Sequence, residues 1–147
     1  MSTRTVRTPA TLRCPACRAL NRVDLARAAD KPRCGTCRQP ILLDQPLAVG
    51  DDDFDTVIAG TSVPVLLDCH ADWCGPCRAM APVLDDLARA RVGTLLVLKL
   101  DTDRSPRTAS RLGIRGIPTF IAFRDGQERR RHVGMADRAT LAALATG

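Results

Sequence analysis

Pro64-Val65-Leu66-Leu67-Asp68-Cys69-His70-Ala71-Asp72-Trp73-Cys74-Gly75-Pro76-Cys77 decides how this chain is read. An apolar segment ends on a carboxylate and leads into two thiols one helical turn apart. Residues 64–68 are short and almost unbroken in apolarity, which suits a strand covered on both faces. From about residue 74 to residue 90 the pattern turns helical, with Pro82 inside as an expected bend. At the start of a helix, free backbone amides and the positive end of the dipole favour a thiolate, so one sulfur can be a nucleophile while the other closes a disulfide. The same spacing also suits a metal knuckle, and taken alone it leaves both chemistries open.

The surrounding pattern is α/β. Residues 51–58 put Phe54, Val57 and Ile58 on one helical face with Gly60 to end it, and residues 45–50 read as a Pro- and Gly-containing join. A second apolar strand is expected over residues 95–100. Ser105-Pro106 then supplies a cap and a first-turn proline for a helix that Gly113 closes. Residues 120–123 and 127–132 pair as a hairpin around Arg124-Asp125-Gly126, and Asp137 caps a final Ala- and Leu-rich helix. Strands alternating with helices and ending in a hairpin imply a central mixed sheet with helices on both faces.

The remaining cysteines form C-x2-C-x16-C-x2-C from Cys14, Cys17, Cys34 and Cys37, a spacing suited to one tetrahedral Zn2+ with no open position. Pro15 and Gly35 each follow a first ligand, as a tight knuckle requires. A segment of some 45 residues with few large apolar side chains needs such a staple to order itself. Two disulfides, a redox-active dithiol pair or iron are the alternatives.

Among 147 residues there are one Trp, three Phe and no Tyr, which leaves little material for stacking nucleic-acid bases. The net charge of +6 lies wholly in residues 1–46, which hold nine Lys or Arg against three Asp. It reads as a solvated basic surface, with an electrostatic docking patch as the other possibility. The Arg- and Thr-rich start, residues 1–13, lacks the apolar run of a signal peptide, and no segment suits a membrane span. A cytoplasmic location is the expectation.

Residues 47–147 resemble thioredoxin through Asp68, Trp73-Cys74-Gly75-Pro76-Cys77, Lys99, Gly116-Ile117-Pro118-Thr119, Asp125-Gly126 and Val133-Gly134. With the two amino-terminal cysteine pairs, the whole chain resembles the zinc-containing thioredoxin 2 subfamily. The resemblance implies a zinc-ribbon-like module over residues 1–46, with one structural Zn2+ on Cys14, Cys17, Cys34 and Cys37. It implies a thioredoxin domain over residues 47–147 that works as a monomeric protein-disulfide reductase. Cys74 would be the nucleophile, Cys77 the resolving thiol, Asp68 the buried acid/base group and Lys99 its neighbour. Trp73, Gly75, Pro76, Ile117, a cis Pro118 and Gly134, with Met135 beside them, would receive oxidised protein substrates. Recharging would come from an NADPH-dependent flavoprotein, thioredoxin reductase, with no organic cofactor bound to the chain itself.

Several readings compete with these assignments. Asp68 could be a strand-end cap, Lys99 a strand-edge charge and Gly134 a simple turn glycine. Cys69 and His70 stand where thioredoxins usually carry Phe and Trp. Cys69 reads as a buried inert thiol, or else a third redox partner; His70 reads as a bystander, or else a group that tunes the Cys74 thiolate. For the whole chain, a zinc-ribbon adaptor and a thiol-linked zinc sensor are the competing functions.

Overall fold

Leu66, Val97 and Phe120 alternate with Leu67, Leu98 and Ile121 along three neighbouring strands, and the two sets enter different clusters of buried side chains. In the computed structural model, which describes residues 8–146, these strands form the centre of a five-stranded sheet. Its members are β3 (Leu47–Val49), β4 (Val65–His70), β5 (Leu96–Asp101), β6 (Thr119–Arg124) and β7 (Gln127–Val133), in the order β3-β5-β4-β6-β7. β3, β5 and β4 run parallel, and β6 and β7 join antiparallel. Of the Arg- and Thr-rich start, residues 1–7 lie outside the described residues.

One face of the sheet packs on α2 (Gly75–Ala90) and α4 (Arg138–Thr146), where Met80, Leu84, Leu87 and Leu141 cover Leu66, Val97 and Phe120. The other face packs on α1 (Phe54–Ala59), whose Phe54, Val57 and Ile58 are buried as their shared helical face predicts. Phe54 meets Phe123 edge to face, with ring centroids 5.7 Å apart.

Two local expectations are corrected. Residues 45–50 are more than a join, because Leu47–Val49 form the edge strand β3, pairing with Leu98, Lys99 and Leu100. Three residues are too few to display a period of two. Ser105 makes no side-chain cap on α3 (Pro106–Arg111). Asp51 caps it instead, its carboxylate accepting from the Thr108 N–H and hydroxyl, each at 2.7 Å. The hairpin turn is the two residues Asp125-Gly126, both at positive φ (53° and 75°), which matches the twist of the strands it joins. Asp137 caps α4 through the Thr140 N–H, in agreement with the sequence.

The amino-terminal segment carries β1 (Pro9–Arg13) and β2 (Leu20–Asp24), an antiparallel pair, and a 3-10 turn over Leu25–Asp30. It does not order around its cysteines alone. Ala10, Leu12, Val23 and Leu25 enter the same buried cluster as α1, so apolar burial against the rest of the chain helps to hold this segment together. Ser62 N–H donates to the Pro9 carbonyl at 2.9 Å. The Arg13 guanidinium pairs with Asp53 at 3.0 Å, where Asp53 is 2% exposed.

Gly60 leaves no room for a side chain against Thr11 of β1. A Cβ there would lie 2.7 Å from the Cβ of Thr11 and closer still to its hydroxyl. Gly60→Ala is expected to destabilise the chain by about 1–3 kcal/mol, the usual cost of overpacking. Arg13→Ala, which strands the buried Asp53 carboxylate, should cost about 2–3 kcal/mol. Urea unfolding read by far-ultraviolet circular dichroism checks both.

Candidate active site and metal site

Cys74 is the N-cap of α2, and its Sγ accepts the Cys77 N–H at 3.2 Å. Gly75 and Pro76 fill the first turn, where the proline's missing N–H costs nothing. Cys74 and Cys77 are joined in a disulfide, with Cα atoms 5.2 Å apart. The two cysteines lie at nearly the same depth. The two residues are 4% and 5% exposed, because the bond holds both sulfurs against the same helix start.

Strand parity places the carboxylate. Asp68 lies two residues beyond Leu66, on the sheet face that α2 covers, and Cys77 lies on the inward stripe of α2 with Met80 and Leu84. Asp68 is 4% exposed and its Oδ1 has no hydrogen-bond partner. Burial drives its pKa up to about 7, with Lys99, directly opposite it on β5, pulling the other way. A carboxyl held near neutrality can take or give a proton at working pH.

Cys69 points to the opposite face, in the cluster shared with α1, and is fully buried. Burial foremost, then the neighbouring Asp68 charge, pushes its thiol up to about 12. Both the burial and the raised pKa suit a packing residue. His70 returns to the Asp68 face, where burial and Lys99 lower its pKa against the opposing pull of Asp101 and Asp72.

Around the disulfide lies an exposed apolar rim. Trp73 is 69% exposed, and its Nε1 donates to Asp103 Oδ2 at 2.8 Å. The Ile117-Pro118 peptide is cis. The Gly134 N–H donates to the Pro118 carbonyl at 2.8 Å, from a backbone at φ 98° where a Cβ would meet nothing within 4 Å. Conformation, rather than space, is what Gly134 supplies. Met135 and Val133 are more than half exposed on this side. Val133, whose Cγ1 would lie 3.6 Å from a Cβ on Gly116, is exposed beside the loop that leads into Ile117-Pro118; its place at the end of β7, just before Gly134, was the signal for it in the sequence.

The four amino-terminal sulfurs lie within 4.8 Å of one another. Cys14–Cys37 and Cys17–Cys34 are each 3.6 Å apart, against about 3.8 Å for the edge of a tetrahedron with 2.3 Å metal–sulfur bonds. The donor set therefore fits one tetrahedral metal ion. Amides converge on two of the sulfurs: the Cys17 N–H lowers the Cys14 pKa, and the Cys37 N–H, then the Asn21 side chain, bring Cys34 to about 5. The Gln39 N–H favours a Cys37 thiolate, but burial and three neighbouring thiols outweigh it and raise Cys37 to about 11. A metal ion held by the four sulfurs would displace those protons and relieve the crowding.

The two knuckles repeat a six-residue unit that the cysteine spacing alone does not reveal, Arg13-Cys14-Pro15-Ala16-Cys17-Arg18 and Arg33-Cys34-Gly35-Thr36-Cys37-Arg38. In each, the second arginine has φ 67° and its carbonyl accepts from the first arginine's Nη1, at 2.7 and 3.0 Å. The 20-residue repeat is visible in the sequence. Arg13 differs from Arg33 in also holding Asp53.

The family model Thioredoxin matches residues 45–146, and the model Thioredoxin 2, N-terminal matches residues 13–39. The chain is 42% identical over 127 residues to a chloroplastic thioredoxin M-type of Chlamydomonas reinhardtii, covering 86% of each chain. It is 45% identical over 95 residues to thioredoxin 1 of Synechococcus elongatus, across 65% of this chain and 89% of that one. Against a chloroplastic thioredoxin M-type of Pisum sativum the identity is 44%, and the match spans 54% of that protein's length. A mutant thioredoxin from Halobacterium salinarum superposes with a TM-score of 0.60 at 36% identity, covering 70% of this chain and 89% of its own.

The Asp68 carboxyl binds a proton more tightly in the folded chain than in the unfolded one, so stability should fall as pH rises from about 4 to about 7 and stay low above. The full penalty is on the order of 3–4 kcal/mol. Asp68→Asn should make the oxidised protein more stable at about pH 8 and remove that slope, as read by urea midpoints across the range.

Proposed function

The chain belongs to the thioredoxin family, a family of thiol–disulfide oxidoreductases, and on that footing we propose that Cys74 is the nucleophile and Cys77 the resolving thiol of a protein-disulfide reductase. The observation that carries this is the Cys74–Cys77 pair at the start of α2 with the buried Asp68 on the sheet face beneath it. In the reduced protein, the Cys74 thiolate attacks one sulfur of a substrate disulfide and the other leaves as a thiolate, forming a mixed disulfide. The Cys77 thiol then gives its proton to the Asp68 carboxylate, and its sulfur attacks Cys74 Sγ. The substrate's second thiolate departs, and the electron pair given up by the Cys74/Cys77 dithiol, now a disulfide, has passed to the two substrate sulfurs.

Lys99 keeps part of the negative form of Asp68 available as the acceptor. Trp73, Gly75, Pro76, Ile117, Pro118 and Gly134 form the rim on which an extended substrate segment lies, aided by the exposed Val133 and Met135. Oxidised proteins are the substrates, and an NADPH-dependent flavoprotein reductase restores the dithiol. The protein acts as a monomer. Zinc is the ion for Cys14, Cys17, Cys34 and Cys37, because four thiolates in a closed tetrahedron suit it and leave it a structural part. A reducing compartment, the cytoplasm, keeps four such thiols available for metal. Among the described residues no helix is long and apolar enough to cross a membrane.

Cys77→Ser should accumulate a mixed disulfide through Cys74 when mixed with oxidised insulin, whereas Cys74→Ser should form none. Mass spectrometry under non-reducing conditions reads both. Asp68→Asn should slow insulin reduction about tenfold or more near neutral pH, approaching the usual cost of losing a general base. Purified protein should carry one zinc per chain by plasma mass spectrometry, and all four Cys→Ser changes together should remove it without removing the Cys74–Cys77 pair.

A further inference from the structure

A carboxylate that accepts the Cys77 proton is loaded once in each cycle, and the role inferred for its neighbour His70 rests on that reading of Asp68. The proton must reach solvent, yet Asp68 is 4% exposed and its Oδ1 has no partner. Beside it opens a cleft of about 650 Å3, lined by Lys99 and His70 and not by Asp68 itself.

Strand register explains the arrangement. Asp68 and His70 are two residues apart on β4 and share a face, with Cα atoms about 7 Å apart. Lys99 and Asp101 stand directly opposite them on β5. The Lys99 charge acts on both groups, lowering the pKa of Asp68 and of His70. The Thr102 N–H and hydroxyl both donate to the His70 carbonyl, at 2.8 and 3.1 Å, which anchors the backbone and leaves the ring to line the cleft.

The other charges around the cleft pair among themselves. Arg18 faces Asp52 and Arg107 faces Asp51, each at 3.6 Å, while Arg13 holds Asp53. Arg104 lies 3.7 Å from Asp101 and 3.9 Å from Asp72. The charges that act on the His70 ring are Lys99 and Asp101 from β5 and Asp72 from the loop after β4. Burial first, then Lys99, keeps the imidazole below its ordinary pKa, so near neutral pH it is uncharged and able to accept.

We propose that His70 is the residue through which Asp68 exchanges its proton with solvent. The proton that leaves Cys77 for the Asp68 carboxylate passes along the Lys99 side of the cleft to a ring nitrogen of His70, and from there to water. Asp68 returns to carboxylate and His70 to neutral imidazole. One proton reaches solvent, and no electron moves in the relay.

His70→Gln keeps a polar side chain but cannot carry the proton. With dithiothreitol as donor and weak buffer near neutral pH, it should reduce insulin about three- to tenfold more slowly, a loss that falls on kcat and not on KM. Added imidazole should restore the rate in this variant and leave the wild type unchanged. A wild-type rate in His70→Gln, or a slow rate that imidazole does not restore, would overturn the relay. Asp68→Asn separates this from the underlying reading: a wild-type rate there removes the base itself. If Asp68→Asn is slow, adding His70→Gln should cost nothing more, and a further multiplicative loss counts against a relay in series with Asp68.

Discussion

Everything in the site depends on the parity of β4. Val65, Leu67 and Cys69 face the core shared by α1 and the amino-terminal hairpin, while Leu66 faces α2, and Asp68 and His70 follow it at steps of two. A slip of one residue would exchange the faces. Cys69 would then lie beneath the disulfide, and the Asp68 carboxyl would enter an aliphatic core with no Lys99 to offset its burial. Pairing on both sides prevents this: Asp68 is matched to Lys99 on β5 and to Phe120 on β6, and the flanking side chains are fully buried on each face. The register that packs the core is also the register that aims the acid at α2.

The same reasoning gives the two buried cysteine environments their different chemistry. Cys69 is held by apolar burial, which disfavours the thiolate and leaves a packing group. Cys74 is equally hidden by area, but its sulfur receives a backbone N–H and occupies the end of a helix. Depth alone does not decide reactivity. What matters is whether amide dipoles point at the sulfur, and in the amino-terminal knuckles they do so again, at Cys14 and Cys34, where the product is a metal site.

Much of this was legible in the residues themselves. The helical faces, the mixed sheet and the division of seven cysteines into three groups follow from spacing and period, because burial leaves a regular mark on sequence, while the buried Asp68 came with the family resemblance. β3 was missed because three residues carry no measurable period. The cap on α3 was assigned to Ser105 because caps are sought locally, whereas the carboxylate that makes it, Asp51, lies 57 residues before Thr108. The attachment of the amino-terminal segment was also out of reach. Ala10, Leu12, Val23 and Leu25 look too few for a core, and they are too few, since α1 and the inner face of the sheet supply most of that core. Long-range contacts of this kind have no local signature. The paired Arg-Cys-x-x-Cys-Arg units did have one, a 20-residue repeat hidden by attention to the cysteines alone.

That attachment changes what the metal centre can mean for the redox centre. Arg13 immediately precedes the ligand Cys14, reaches the Arg18 carbonyl that closes the knuckle, and pairs with Asp53. Asp53 in turn accepts the Gly50 N–H at 2.7 Å, at the end of β3, and Asp51 in the same loop holds the start of α3. The knuckle, the edge strand and the wall of the cleft beside His70 are therefore tied by direct bonds rather than by a tether. Removing Arg13 from this partly buried ion pair costs about 2–3 kcal/mol, a large share of the stability of a chain this size. The four thiolates thus do more than order their own segment. By fixing Arg13 and Arg18 they also fix one side of the cleft that His70 and Lys99 line.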